Sequence, residues 1–476
     1  MNGDHVDQIV EKLGIEKTFW IKQLRELNPR QVGIVKVSGN LLENNELAAE
    51  MAYLAGEGFY LPVVLGGGKA YDEIVGQGKD FGKVHFNESD GKGGFKEQFL
   101  RVTPENLIED MVALAKENLD NVVRMIKSKG VDVVAIPLEN MVVEPYNDVI
   151  CLNGQSVNMG RTAAPSMIDP KPFHDAIDNG MIPVMSHVGV FNGQYYNTNA
   201  TSAAFELAGK DALDVFKVML VGDTPVMKEG KRVERIASIE DYNELTGVLI
   251  GGMGVNVGES ISWLQPMGPG RSVQLTKLKT GTQENIESTG LLEELLGFSN
   301  NSGGTMITLP PDYTPRYLNQ IPTGERGKIR KLIDHAFEIR GLKLSGDYFN
   351  NLEPDKTVVY MDEQQKAIAI TYDICGINYM CKLGTDPGYR GLRLGEFLIS
   401  KAFEDSDNGL VWRSSKDKEG LNRFYKSVLD YYKGKGHSVF AETKGEYHVY
   451  GIDVESGKKD KVIGMIEKIK PTFMEV

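Results

Sequence analysis

Residues 379–403 read YMCKLGTDPGYRGLRLGEFLISKAF, and the stretch changes its period in the middle. Its first part continues the run Gly376–Leu383, a strand by composition. Its last part sets Leu394, Phe397, Leu398 and Ala402 on one face at helical spacing. A strand that passes into a helix across a glycine-bearing turn predicts an α/β unit whose helix opens just at RGLRLG. There Arg390, Gly391 and Gly395 turn backbone amides and the positive end of the helix dipole toward an anion, and a pyrophosphate suits that geometry. Such a turn also serves simply to reverse the chain.

What flanks the turn narrows the reading. The turn resembles the R-x-x-G-x-G/A element of the GNAT superfamily of N-acetyltransferases, with Arg393 at the position of the first motif glycine. YMCKLGT before it and LVWRSSKDKEGLNRFYKS after it are similar to motifs of the N-acetylglutamate synthases that carry a kinase-like domain. The resemblance carries over Tyr379, Lys382, Trp412, Arg413, Ser414, Asn422 and Tyr425. It implies acetyl-CoA as co-substrate, held by Leu383, Arg390, Gly391, Leu392, Arg393, Leu394 and Gly395, and L-glutamate as acceptor. The family's closing motif is kept only loosely, as His448–Ile452.

The chemistry of that implied reaction can be set against the residues. Glutamate presents two carboxylates, so its site needs at least two cationic donors, and Lys382 and Arg413 supply them, with Ser414 and Asn422 beside them. A departing thiolate needs an acid, and Tyr425, with an ordinary pKa of about 10, is a sensible one. No base is assigned: the amine can lose its proton through water, and Asp373 is the one side chain offered. Tyr425 as core filler and Lys382 as a solvated strand residue remain the alternatives.

Upstream, short apolar runs alternate with helical patterns from Gly33 to Gly222, the signature of a parallel sheet with crossover helices. The strand candidates are Val32–Val37, Leu61–Leu65, Val131–Ile136, Met181–His187 and Phe216–Val221. Thr103 is expected to cap, and Pro104 to open, a helix with Leu107, Met111, Leu114, Val122 and Met125 on one face. Gly66, Gly67 and Gly68 follow the second strand directly, where bare backbone can approach phosphate oxygens, although such a run also makes a plain tight turn. Lys36 lies near the end of the first strand, placed either to neutralise a phosphoryl group or to sit in solvent.

In order, Lys36, Gly66–Gly68, Arg101–Pro104 and Asn197–Ala200 resemble the amino-acid kinase family and, within it, acetylglutamate kinase. The resemblance gives Arg101 and Asn197 the hold on an acidic substrate. Two catalytic charges of that family are missing: Thr201 stands for an aspartate and Asn256, in GGMGVN, for a lysine, while Ser38 replaces a turn glycine. Phosphoryl transfer rests on positioning and electrostatics, so the kinase site is expected to be vestigial. Arginine-sensitive relatives bind arginine between an extra N-terminal helix and the end of the kinase domain. Trp20, in EKTFWIKQL, and Glu294, Gly303 and Gly304 look like those parts; a plain interface helix and loop is the alternative.

The expected architecture is therefore α/β, an amino-acid-kinase-like three-layer domain with a mainly parallel sheet (1–310), plus a C-terminal GNAT α+β domain (326–452). A proline-rich linker (311–325) is expected between them and a tail (453–476) after them. A chain of 476 residues exceeds one hydrophobic core, and a net charge of −13 argues against nucleic acid or anionic membrane as a partner. Cys151, Cys375 and Cys381 have neither disulfide-framework nor metal-ligand spacing, so no metal is expected. Without a signal-like or membrane-spanning stretch, the cytoplasm is the expected location. The family further implies a homo-oligomer, dimer to hexamer. A bifunctional synthase and kinase, or a non-catalytic arginine or nucleotide sensor, are the competing readings.

Overall fold

The five apolar runs between Val32 and Val221 lie side by side in one sheet. The computed structural model describes residues 29–67, 83–89, 95–151, 154–222, 225–245, 247–249, 252–267, 270–278, 290–296, 304–310, 313–338, 341–362, 365–386 and 394–475. The five are β1 (Ile34–Val37), β2 (Val63–Leu65), β3 (Val133–Ala135), β4 (Ile182–Ser186) and β5 (Lys217–Val221). With β6 (Arg235–Ile236), β7 (Ser272–Thr276) and β8 (Thr305–Ile307) they form an eight-stranded sheet ordered β6-β8-β7-β5-β1-β2-β4-β3. Its pairings are parallel except β7 with β8.

Parallel neighbours need crossovers, and helices supply them on both faces. In β1, Ile34 packs with Ala203, Leu207 and Leu264, from α3 (Ala200–Ala208) and α4 (Gly252–Met267). The next residue, Val35, packs on the opposite face with Leu47, Met51 and Ile126, from α1 (Asn45–Gly56) and α2 (Ile108–Lys127). A shorter helix, α5 (Gly290–Leu296), joins the second cluster through Leu291, Leu292 and Leu295. This is the three-layer unit expected.

One boundary differs. A 3-10 turn, Glu105–Leu107, comes first, and α2 starts only at Ile108. Thr103 does not cap it. Its amide donates to the Thr162 hydroxyl (3.0 Å) and its own hydroxyl accepts from Asn197 (2.9 Å), so tertiary partners outcompete the local cap.

The chain divides into two units, Met1–Leu309 and Pro310–Val476. The second holds a sheet of β9 (Tyr313–Tyr317), β10 (Thr357–Asp362), β11 (Ala367–Ile374), β12 (Ile377–Thr385), β13 (Leu410–Ser415), β14 (Val439–Lys444) and β15 (Tyr447–Ile452), ordered β9-β10-β11-β12-β13-β15-β14. Its helices are α6 (Thr323–Glu338), α7 (Leu394–Glu404), α8 (Glu419–Gly434) and α9 (Ser456–Lys468).

Two expectations are corrected here. Within 311–325, Tyr313–Tyr317 is not linker but an edge strand paired antiparallel with β10, and α6 opens at Thr323. The prolines that suggested a linker fit those elements: Pro315 lies on an edge strand and Pro322 just before a helix. Likewise 453–476, expected as a tail with at most a helix, forms α9 and a short strand and is docked on the unit. Val462, Ile463 and Ile466 of α9 are buried against Ile377, Tyr379, Val411 and Val449, and Phe473–Glu475 pairs with Leu342–Leu344.

Candidate active site

The parallel pair β12 and β13 is joined over a short stretch only. Their ladder covers only Asn378–Met380 against Leu410–Trp412 and then stops. On the other side of β12 the register with β11 slips between Ile370/Lys382 and Thr371/Met380, which leaves Cys381 as an extra, bulged residue. A bulge disturbs its strand, and this one sits directly after the last rung with β13. Past β12 and Asp386 the next described residue opens α7, and its carbonyl, on Leu394, accepts a hydrogen bond from Tyr313 Oη (3.2 Å). Arg390, Gly391, Leu392 and Arg393 lie outside the described residues. Leu383 and Gly395 meet at that edge: a Cβ on Gly395 would lie 3.6 Å from Leu383 and 3.5 Å from Phe424, ordinary contact distances.

Successive residues on a strand face opposite ways, and this divides the candidate residues into two groups. On the α8 face, Tyr425 is buried, its ring 5.6 Å from Trp412 and 5.2 Å from Tyr450, while Trp412 and Tyr450 stack at 5.8 Å. Tyr425 therefore lies over the last rung before the split. Burial pushes the Tyr450 hydroxyl up to about 12. Ser414 is on the same face, and its hydroxyl and the Trp412 indole N–H are buried with no hydrogen-bond partner among the described residues. Buried polar atoms are nearly always paired, so two orphans beside an opening mark a place for a polar ligand.

Asn422 does not join them. Its amide nitrogen donates to the carbonyls of Ser415 (3.0 Å) and Lys416 (3.3 Å), and its oxygen accepts from Tyr450 Oη (3.1 Å). It ties α8 to the end of β13.

Lys382 and Arg413 point to the other face. Lys382 is 6% exposed; its ammonium donates to the Thr472 hydroxyl and the Cys381 carbonyl (3.2 Å) and faces the rings of Phe473 (4.7 Å) and Tyr348 (4.9 Å). Burial holds its pKa down at about 8, and Arg413 adds to the shift against the opposing Cys381. Arg413 donates to the carbonyls of Ile466 (2.6 Å) and Ile469 (2.8 Å) and lies 4.2 Å from the Tyr447 ring. Tyr379, also on this face, is buried and its phenol pushed up by desolvation. Asp373 is exposed at the β11–β12 turn, where it accepts from Gly376 N (3.1 Å), at the far end of β12 from the split. It has no place in the site.

In the first unit the kinase-like residues gather at the carboxyl ends of β1, β2 and β4, where ligands of open α/β sheets bind. Lys36 is buried and donates to Ser38 Oγ (3.2 Å), and Gly66 N donates to Val37 O (2.9 Å). Gly67 follows Gly66 directly; Gly68 is outside the described residues. Arg101 and Asn197 are brought together through the Thr103–Thr162 contacts, with Thr162 Oγ1 donating to Arg101 O (2.8 Å). The two substituted positions are neighbours. Thr201 Oγ1 donates to Asn256 Oδ1 (3.0 Å), both buried, so a neutral pair fills the place expected of two charges.

Glu294 and Gly304 also meet, Gly304 N donating to Glu294 Oε1 (3.1 Å). Lys217 Nζ donates to the carbonyls of Glu294 (2.6 Å) and Leu295 (3.2 Å). Gln274, 1% exposed, is close by, and its amide has no partner among the described residues. Sequence reading missed Lys217 and Gln274, because nothing local marks a single strand residue as facing Glu294 and Gly304. Trp20 and Gly303 lie outside the described residues.

Comparison with known proteins follows the same division. A family model described as the N-acetyltransferase of N-acetylglutamate synthase matches residues 318–455, and that of the amino acid kinase family matches 31–265. Acetylglutamate kinase of Corynebacterium urealyticum is 31% identical over 216 residues, 43% of this chain and 64% of the relative. The enzyme of that name from Bacillus anthracis is 25% identical over 281 residues, 58% of this chain and 98% of the relative. The chain thus spans less than two thirds of the length of the first of these.

Among solved structures, N-acetylglutamate synthase from Neisseria gonorrhoeae complexed with coenzyme A and N-acetyl-glutamate aligns over 95% of this chain and 99% of its own, with TM-score 0.53 and 18% identity. The same enzyme with coenzyme A and L-arginine aligns over 92% and 98%, with TM-score 0.51 and 18% identity. At that identity the likeness carries the fold. Among the described residues no helix is long and apolar enough to cross a membrane. The chain belongs to two families joined end to end, the amino acid kinase family over residues 31–265 and the N-acetyltransferases of N-acetylglutamate synthase over residues 318–455.

Proposed function

We propose that the second unit transfers the acetyl group of acetyl-CoA to the amino group of L-glutamate, and that the first unit keeps a kinase fold without kinase chemistry and binds arginine. The observation that carries the first part is the split where the β12–β13 ladder ends after Met380 and Trp412, with Tyr425 tilted against its last rung and two orphan polar atoms beside it. The thioester enters the split from the side of helix α7. The neutral amine attacks the thioester carbonyl carbon, the C–S bond breaks, and the thiolate takes the Tyr425 hydroxyl proton. The amine's surplus proton passes through water back to Tyr425 and restores its hydroxyl. Lys382 and Arg413 select the acceptor by charge.

The second part is supported by the Thr201–Asn256 pair, which leaves no charge where a transferring phosphoryl group would need it, and by the carboxylate, amide and glycine backbone around Glu294, Gln274 and Gly304, which suit a guanidinium. A homo-oligomeric state belongs to the same reading.

One pair of assays tests it. Thiol release from acetyl-CoA is followed with and without glutamate, and ADP release from ATP plus N-acetylglutamate separately. Thiol without ADP is the expected result. Robust ADP release overturns the inactive-kinase reading, and no thiol across a panel of amino acids, with arginine still bound, favours the sensor.

A further inference from the structure

The two cations assigned to the acceptor are both covered by one short stretch of the chain itself. Ile466 and Ile469 give their carbonyls to Arg413, and Thr472 and Phe473 enclose the ammonium of Lys382. Among the described residues Lys382 has no carboxylate within salt-bridge distance. A buried cation held by a hydroxyl, a carbonyl and ring faces is under-compensated, and an anion that reaches it is strongly favoured.

The cover is unevenly anchored. Val462, Ile463 and Ile466 of α9 are at most 1% exposed, whereas Phe473–Glu475 is a three-residue strand paired only with Leu342–Leu344, and its Met474 is 52% exposed. Between them Ile469, Lys470 and Pro471 belong to no helix or strand. Arg413 is the easier of the two to share, because a guanidinium has five N–H groups and two carbonyls do not exhaust them.

We propose that Ile469–Phe473 is a strap that competes with the acceptor for its carboxylate subsite: Thr472 and Phe473 leave Lys382 when a carboxylate arrives, while α9 stays docked and Arg413 accepts the second carboxylate without releasing Ile466. This rests on the reading of Lys382 and Arg413 as acceptor ligands. The strap makes the open subsite available to an acceptor with charge enough to displace it, which disfavours neutral amino acids.

Thr472→Val keeps the shape of the side chain and removes the oxygen that accepts from Lys382. It is expected to lower KM for glutamate about tenfold, equivalent to ~1.4 kcal/mol, with KM for acetyl-CoA as in the wild type. In the wild-type protein, saturating glutamate is expected to speed amide exchange at Phe473–Glu475 and leave Val462–Ile466 protected. An unchanged or raised KM for glutamate in a variant that keeps its KM for acetyl-CoA overturns the strap. So does exchange at Phe473–Glu475 that glutamate leaves alone or slows. A wild-type protein that releases no thiol with glutamate removes the acceptor reading itself, a failure visible before any variant is made.

Discussion

Lys382→Met asks whether a residue kept for its charge weakens the fold that holds it. The residue is 6% exposed, and burial first of all holds the pKa at about 8 against 10.5. Because the folded pKa is the lower one, the folded form binds fewer protons between pH 8 and 10.5. Stability is therefore least below pH 8 and rises through that window. The gap between 10.5 and about 8 amounts to about 3 kcal/mol. Methionine keeps the length and apolar body, leaves no orphaned anion behind, and loses attraction to the Tyr348 and Phe473 rings of about 1–2 kcal/mol in all. The variant is expected to be ~1–2 kcal/mol more stable at pH 7, with the advantage gone near pH 10.5. Urea unfolding measures this through Trp412, made the sole tryptophan by Trp20→Phe and Trp263→Phe. Glutamate-dependent turnover should fall at least ~100-fold in the same protein. A variant no more stable at pH 7, or one with the same difference at both pH values, refutes the reasoning.

Three more outcomes are expected. Tyr425→Phe keeps the ring against Trp412 and Tyr450 and should cut kcat about 100-fold with little change in KM; an unmoved kcat takes the acid role away from Tyr425. His187, pushed down to about 4 mainly by burial, should make the first unit lose about 3 kcal/mol as pH falls from 6.5 toward 4, since there the unfolded chain binds the extra proton. Thermal melts over that range should show His187→Gln flattening the loss. Gly304→Ala would put a Cβ 2.4 Å from Leu275 O, costing about 1–3 kcal/mol, and calorimetry should show arginine binding weakened; an unchanged titration moves the effector elsewhere.

Much was legible from local pattern, and the successes share a cause. The strands β1 to β5 are largely apolar runs because both faces of a parallel sheet are covered, so their chemistry shows in any short window. The Thr201 and Asn256 departures were legible in the same way, as residue types without the expected charge. That they bond to each other was not, since 55 residues separate them and only the packing of α3 on α4 joins them.

The misreadings share a cause too. Proline marked 311–325 as linker because a proline's meaning depends on whether its strand lies at an edge, and edge position is a property of the whole sheet. Thr103 read as a cap because the competing Asn197 and Thr162 contacts are invisible along the chain. The 453–476 segment carries its helical spacing openly in Val462, Ile463 and Ile466, yet nothing local says what that face meets.

By itself, then, the sequence determined which residue types are available: two cations, a tyrosine, a strand-to-helix turn, and a kinase-like frame without two of its charges. Only the tertiary structure decided where they act. The β12–β13 ladder ends beside a single bulge at Cys381, strand alternation sends Tyr425's partners and the two cations to opposite faces, and a segment some fifty to ninety residues downstream covers Lys382 and Arg413. Burial and partnership set whether a lysine is a solvated charge or a desolvated one with its pKa near 8, and both depend on chain that no local window contains.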